Sequence, residues 1–385
     1  MKFLLIYVPN LRFTNLNKLV KVRLGDICTI TGGYAFDSLK MTQKGEYQII
    51  KMGNLYNGIF DLSRNSSFIN APTKKELDYL IQENDILITL TGTTNKKDYG
   101  YTVQMEQPKN LLLNQRCALI RASKVNEKYL FYLLNSNDFL KQFYASSTGG
   151  TGNQTNVSIN DMLDFKVCIS NENDQLKISN ILSALDKKIL TQIKIIDDYN
   201  SLKIGIYNWM FKENYADYKL KQLAYIVKGD QINNDQLLSN GSYYMMNGGT
   251  SPSGYLDSYN VSENTISISE GGNSCGYVQF NSSPFWSGGH CYTIQNVNSA
   301  LIDNKYLYHY LKHKEIEIMN LRIGTGLPNI QKRDLENFTI LAPNLSIQRK
   351  NLALFEMLDE KISVLNEELT ILEKQKKYLL CNMFI

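Results

Sequence analysis

Two stretches of this 385-residue chain, 185–211 and 358–384, align without a gap at a constant offset of 173. Asp186-Lys187-Lys188-Ile189 matches Asp359-Glu360-Lys361-Ile362, and Met210-Phe211 matches Met383-Phe384. Each stretch also repeats every seven residues. In the second, Leu358, Leu365, Leu372 and Leu379 form one row, and Ile362, Leu369, Lys376 and Met383 the other. In the first, the rows read Leu185, Gln192, Tyr199, Ile206 and Ile189, Ile196, Lys203, Met210. A seven-residue apolar seam is the signature of helices that pack against a partner helix. The two stretches are therefore expected to be helices that pair antiparallel. The pairing residues are Leu185, Ile189, Ile196 and Ile206 on one, and Leu358, Ile362, Leu365, Leu369, Leu372 and Leu379 on the other. The one charged interruption recurs as Lys203 and Lys376, which suits a register mark. The bland alternative is two surface helices, each covering its own globular segment.

The repetition reaches beyond the helices. Asn156-Val157, Asp161 and 165–167 lie 173 residues before Asn329-Ile330, Asp334 and 338–340, whereas the openings of the two large segments are about 196 apart. The first segment is thus longer by about 23 residues, which are expected in loops. Five parts follow: an N-terminal arm, 1–20; a first α/β segment, 21–170; a long helix, 171–217; a second α/β segment, 218–344; and a second long helix, 345–385. The first segment mixes short strand-like runs (48–52, 85–90, 117–121) with one apolar helix, 127–143. The second carries a helix over 303–318. The fold class is α+β: two pseudo-symmetric α/β domains separated by a two-helix antiparallel coiled coil.

Known catalytic signatures are absent. There is no Walker-type phosphate loop, no Asn/Asp-Pro-Pro-Tyr/Phe loop, and no proline followed by Asp as in common nuclease sites. His309 and His313 are four apart on an expected helix, a spacing that suits metal, but no carboxylate or cysteine is spaced nearby as in a known metal motif. His290-Cys291 lacks a third group for nucleophilic work. Six cysteines are scattered with no Cys-x-x-Cys pair, as in reduced cytosolic proteins. No apolar run is long enough to span a bilayer, so a cytoplasmic protein with no membrane partner is expected.

The chain looks built for binding, not chemistry. Residues 185–210 would span about 38 Å as a helix, close to the ~34–36 Å between paired DNA half-sites. Net charge is only +4, and residues 229–304 contain no Lys or Arg. DNA contact there would have to rest on Asn, Gln, Ser and Tyr, although phosphate contacts by cations usually dominate affinity. Candidate DNA-contacting residues are Tyr34, Asn54, Arg64, Lys96 and Lys97 in the first segment, and Asn247, Ser251, Tyr255, Asn273 and His290 in the second. Asn and Gln can pair bidentately with adenine, and Arg with guanine. The glycine pairs at 248–249 and 271–272 read either as turns that bring backbone close to a partner or as plain turns.

The order of several phrases resembles the specificity subunit of a Type I restriction–modification enzyme. The phrases are Val8-Pro9-Asn10-Leu11-Arg12-Phe13, Leu24-Gly25-Asp26-Ile27 with Gly33-Tyr34-Ala35-Phe36, Asn84-Asp85-Ile86-Leu87-Ile88, 152–158, Asn247-Gly248-Gly249, Ser253-Gly254-Tyr255, 266–276 and 285–290, together with the two Leu-x-x-x-Asp-x-Lys-Ile-type helices. The resemblance implies two target recognition domains, each reading half of a split double-stranded DNA site. The helices would hold them apart and bind two methyltransferase subunits that modify adenine, with motor-nuclease subunits joining to cleave. It implies no catalytic residue, metal or cofactor in this chain; S-adenosylmethionine and ATP would belong to the partners. The competing expectation is a coiled-coil adaptor whose two domains bind proteins or glycans.

Overall fold

The computed structural model describes residues 19–93, 96–149, 154–211, 215–324, 326 and 328–384, the Asn234 side chain excepted. The N-terminal phrase at 8–13 and the glycine-rich stretch at 150–153, and with it the start of the phrase at 152–158, fall outside the described residues. The chain divides into two compact units: Met1–Gln192 with Glu368–Ile385, and Ile193–Glu367. Each unit thus takes one part of each long helix, Glu172–Met210 and Leu345–Met383.

Unit 1 is organised by an antiparallel four-stranded sheet in the order Cys28–Gly32, Cys117–Ala122, Ile86–Thr89, Thr102–Gln104. The central strand is Ile-Leu-Ile-Thr and is buried throughout, which is why it reads as a continuous apolar run without alternation. Asn84 enters it in a left-handed conformation (φ 66°) that Asn tolerates. Asp85 then accepts two hydrogen bonds from Arg121, at 2.6 and 3.0 Å, anchoring that end. A second sheet sets Tyr47–Ile50 parallel to Leu111–Leu113 and antiparallel to Phe68–Ile69. Val20–Arg23 pairs with Lys166–Ile169.

Unit 2 repeats this scheme. Its four-stranded antiparallel sheet runs Tyr225–Lys228, Cys291–Gln295, Thr265–Ser269, Val278–Asn281. Tyr243–Met246 lies parallel to Trp286–Ser287 and antiparallel to Gly254–Leu256. Ala216–Lys219 pairs with Thr339–Ala342. Asn264, with φ 58°, precedes the central strand as Asn84 does in unit 1.

The extra residues of unit 1 lie mainly between Tyr47 and Ile86, which correspond to Tyr243 and Ile266. They fold into a short helical excursion, Met52–Gly58, and the helix Lys74–Leu77, on either side of the strand Phe68–Ile69, whose counterpart is Gly254–Leu256. A reciprocal cap drives that last turn: Thr73 Oγ1 accepts from Glu76 N, and Thr73 N donates to Glu76 Oε2 at 2.6 Å. The insertion is therefore structured and not a plain loop. The expected helix at 127–143 is also divided, into Glu127–Leu133 and Asn137–Ala145, because Ser136 caps a new start at Phe139 N. Its counterpart breaks at Lys314, giving Asn304–His313 and Glu315–Met319.

The long helices pair within each unit. In unit 1 Lys376 Nζ meets Asp186 Oδ1 at 2.6 Å, and Gln192 Nε2 donates to Glu368 Oε2 at 3.0 Å. As residue numbers rise on one helix they fall on the other, so the pairing is antiparallel. In unit 2 Lys203 pairs with Asp359, and the Tyr207 and Phe355 rings meet edge to face at 4.4 Å, in the same antiparallel sense. Lys203–Asp359 and Asp186–Lys376 are the same ion pair at the 173-residue offset, so the matched lysines do mark register.

The seam residues Ile196, Leu358, Leu365 and Leu372 are buried; Leu185, Ile189, Ile206, Ile362, Leu369 and Leu379 are half-buried. The helices also join the cores of their units. Met383 and Phe384 enter the unit 1 core beside Ile178 and Leu182, and Met210 and Phe211 enter that of unit 2 beside Phe355. A buried glutamine staples each helix start in the same way. Gln175 accepts from Asn126 N at 3.0 Å, and Gln348 accepts from Asp303 N at 2.8 Å. Among the described residues no helix is long and apolar enough to cross a membrane.

Candidate nucleic-acid interface

The candidate residues of unit 1 do not converge. Tyr34 is half-buried, its ring 5.1 Å from both Phe36 and Tyr79, with Lys75 Nζ 5.8 Å above it. Asn54 must be corrected: it is fully buried and cannot touch a base. Its amide is spent within the inserted excursion, donating to Asp61 O at 2.8 Å and Arg64 O at 2.6 Å and accepting from Lys51 N at 2.8 Å. Burying an amide demands such pairing, so this asparagine shapes the loop. Arg64 is exposed, 3.2 Å from Asp61 and 5.7 Å from the Tyr56 ring. Bonds from Ser63 hold the Asp61 carboxyl below its ordinary value. Lys96 and Lys97 are exposed on the turn beside Asp98, whose carboxyl is lowered chiefly by the Thr93 N–H. Lys97 sits at φ 51° with its ammonium 5.2 Å from the Tyr144 ring.

In unit 2 three of the five candidates come together. Asn247 Oδ1 accepts from His290 N at 3.0 Å, so the half-buried amide of Asn247 ties two loops together. Gly248 O accepts from Ser269 Oγ and Ser274 Oγ, both at 2.7 Å, which draws in the loop carrying Asn273. Asn273 and His290 are exposed. Gly248 and Gly272 have φ of 79° and 78°, so these turns need glycine. Ser251 is exposed farther along, and Tyr255 lies in Gly254–Leu256 with its backbone paired to Leu238 and Tyr244.

Sequence reasoning missed the group at the base of this cluster. Glu270 is 7% exposed. Its Oε1 accepts from Lys228 Nζ at 2.7 Å and from Tyr292 OH at 3.0 Å. Its Oε2 is buried without a hydrogen-bond partner and lies 3.8 Å from His290 Nδ1. An unsatisfied buried oxygen costs roughly 1–3 kcal/mol, which makes Glu270 a candidate to hold a partner here. Burial, and then the Glu270 carboxylate, push the Tyr292 hydroxyl well above its usual value. Lys228 is the last cation before the cation-free stretch, which was the one available signal. At the matching place in unit 1, where Val157 N donates to a strand-end carbonyl as Ile330 N does to Glu270 O, stands the buried Leu90.

The other candidate chemistries dissolve into the core. His309 Nδ1 is 2.8 Å from Tyr207 OH, and His313 packs its ring 5.3 Å from both Tyr207 and Phe211. Among the described residues no three His, Cys, Asp or Glu side chains gather as a metal site. Burial pushes the Cys117 thiol up to about 12 and Cys291 up to about 11, so both stay protonated and inert near neutral pH.

What remains is a pair of like-built units with different exposed loops, and comparison with known proteins agrees. The family model described as the type I restriction modification DNA specificity domain matches twice, over residues 17–197 and 212–374. A type I specificity subunit of Mycoplasma pneumoniae is 34% identical over 137 residues, 35% of this chain and 36% of that protein. Another from Mycoplasma genitalium is 32% identical over 127 residues, 33% of each. The matches thus span about a third of these relatives. The crystal structure of the type I restriction–modification S subunit from M. genitalium aligns over 98% of this chain and 99% of that one, with a TM-score of 0.66 at 18% identity, a likeness of fold. With the specificity-domain model matched over most of its length and in both units, the chain belongs to the type I restriction–modification DNA specificity family.

Proposed function

We propose that this chain is the non-catalytic sequence-specificity subunit of a type I restriction–modification complex. Segments 21–170 and 218–344 act as target recognition domains, each reading one half of a bipartite double-stranded DNA site. The long helices, within 171–217 and 345–385, set the spacing between the halves and seat two methyltransferase subunits. Those partners bring S-adenosylmethionine and flip the target adenine out of the duplex, since that chemistry needs an unstacked base. Motor-nuclease subunits bring ATP and cleave unmodified DNA.

The observation that carries this reading is repetition with variation. One strand order, one parallel pairing and one helix ion pair occur in both units, while the exposed loop residues differ. A scaffold kept twice with unlike loops suits a protein that reads two different half-sites. The test is an exchange of 218–344 for the matching segment of a family member of different specificity, followed by methylome sequencing. One half of the methylated sequence should change and the other stay. Change in both halves, or no sequence-specific methylation at all, would refute the reading.

A further inference from the structure

Both units build the same tight turn just before the second strand of the four-stranded sheet. At 114–117, Cys117 N donates to Asn114 O at 3.1 Å and Gly33 N donates to Cys117 O at 2.9 Å. At 288–291, Cys291 N donates to Gly288 O at 3.0 Å and Gly229 N donates to Cys291 O at 2.9 Å. The glycines permit this approach: a Cβ on Gly33 would lie 2.1 Å from Asn114 O, and one on Gly229 2.3 Å from Ser287 O. The third turn residue is Arg116 in unit 1 and His290 in unit 2, both exposed. Each is tied by its carbonyl to the end of the central strand, Leu90 N to Arg116 O at 3.0 Å and Glu270 N to His290 O at 2.9 Å. The backbone is wired identically and only the side chains differ.

Each side chain has a setting fit for a ligand. Arg116 borders a concavity of about 370 Å³ lined by Thr91, Thr148, Gln154 and Asn156, and among the described residues its guanidinium has no partner. His290 faces the unpartnered Oε2 of Glu270. A ring shift of about 1 Å would close that gap to hydrogen-bond length.

We propose that this turn is the base-reading position of each recognition domain, with Arg116 contacting a guanine of the first half-site and His290, held by Glu270, contacting an amino-bearing base of the second. The proposal rests on the DNA-specificity reading above. The guanidinium fork matches the O6 and N7 acceptors of guanine in the major groove. In the tautomer that directs Nδ1–H at Glu270, Nε2 turns outward as an acceptor, which suits the exocyclic amino group of adenine or cytosine. Glu270 is a positioning residue; Lys228 and Tyr292 fix its other oxygen.

The experiment is methylome sequencing of cells expressing the chain with its partner subunits, as wild type, Arg116→Ala, His290→Ala and Glu270→Gln. Arg116→Ala should relax one guanine position in one half-site, with discrimination there falling on the order of 10- to 100-fold. His290→Ala should relax one position, adenine or cytosine, in the other half. Glu270→Gln, whose amide oxygen stays with the Lys228 and Tyr292 donors and so turns its NH2 toward His290, should alter that same position. Two exposed-turn variants that methylate with every preference intact, or that relax the same half-site, would overturn the proposal. Loss of all methylation in Glu270→Gln would overturn the positioning role. A wild-type chain that directs no bipartite methylation would instead sink the underlying reading.

Discussion

Between pH 7 and pH 5 acid should loosen unit 2 more than unit 1, chiefly because one buried position differs between the repeats. His309 is 4% exposed, with Nδ1 against Tyr207 OH. Burial pushes its imidazole down to about 4; Asp359 and Glu356 oppose that shift, and Lys203 and Lys305 add to it. An unfolded histidine titrates near 6.5. Between those two values the unfolded chain binds a proton that the folded chain refuses, so stability falls as the pH drops through the window. The loss is about 2 kcal/mol between pH 7 and pH 5, approaching about 3 kcal/mol below pH 4. In unit 1 the partner of the equivalent aspartate is Tyr132, whose hydroxyl donates to Asp186 at 2.8 Å. Burial pushes that hydroxyl further from ionisation, so it contributes nothing across this range. Hydrogen exchange followed by mass spectrometry, corrected for intrinsic rates, resolves the two units. Protection in Asn304–His313 and its neighbours should fall from pH 7 to pH 5 far more than in Glu127–Leu133. His309→Gln, which keeps a polar group near Tyr207 but does not titrate, should remove most of the difference. Equal responses in the two units, or a glutamine variant as acid-sensitive as wild type, would refute the argument.

Two further outcomes are expected from packing. Leu365→Ala and Leu372→Ala, at 4% and 5% exposure, should each cost roughly 2–5 kcal/mol in urea unfolding, whereas Leu190→Ala, 66% exposed on the same helix pair, should stay within about 0.5 kcal/mol. Asn54→Ala should lower stability by about 1–3 kcal/mol in a thermal melt, since it strips partners from Asp61 O and Arg64 O, yet leave the methylated sequence unchanged; altered base preference without destabilisation would restore Asn54 as a contact residue.

The long helices and the repeat were legible in the residues because their causes are local. A heptad seam is a property of neighbours four and three apart, and the offset of 173 could be counted. The seam also announced its matched lysines. Their partners, Asp186 and Asp359, needed the antiparallel register, which brings residues more than 150 apart into contact. The candidate site was far less legible. Asn54 has the chemistry of a base reader and the position of a core amide, and nothing in the residue type separates the two. Arg116, Lys228 and Tyr292 stand in stretches with no motif, and Glu270 stands in the phrase 266–276 without a role of its own. They matter only because sheet pairing sets Tyr292 directly across from Lys228 and Ile268, and turn closure places Arg116 and His290 at the same position of the turn in their own units. Periodicity is written along the chain, so the sequence alone determined the rods and their duplication. Convergence of loops depends on which strands pair and in what register, a sum of many weak long-range contacts, and only the tertiary structure decided it.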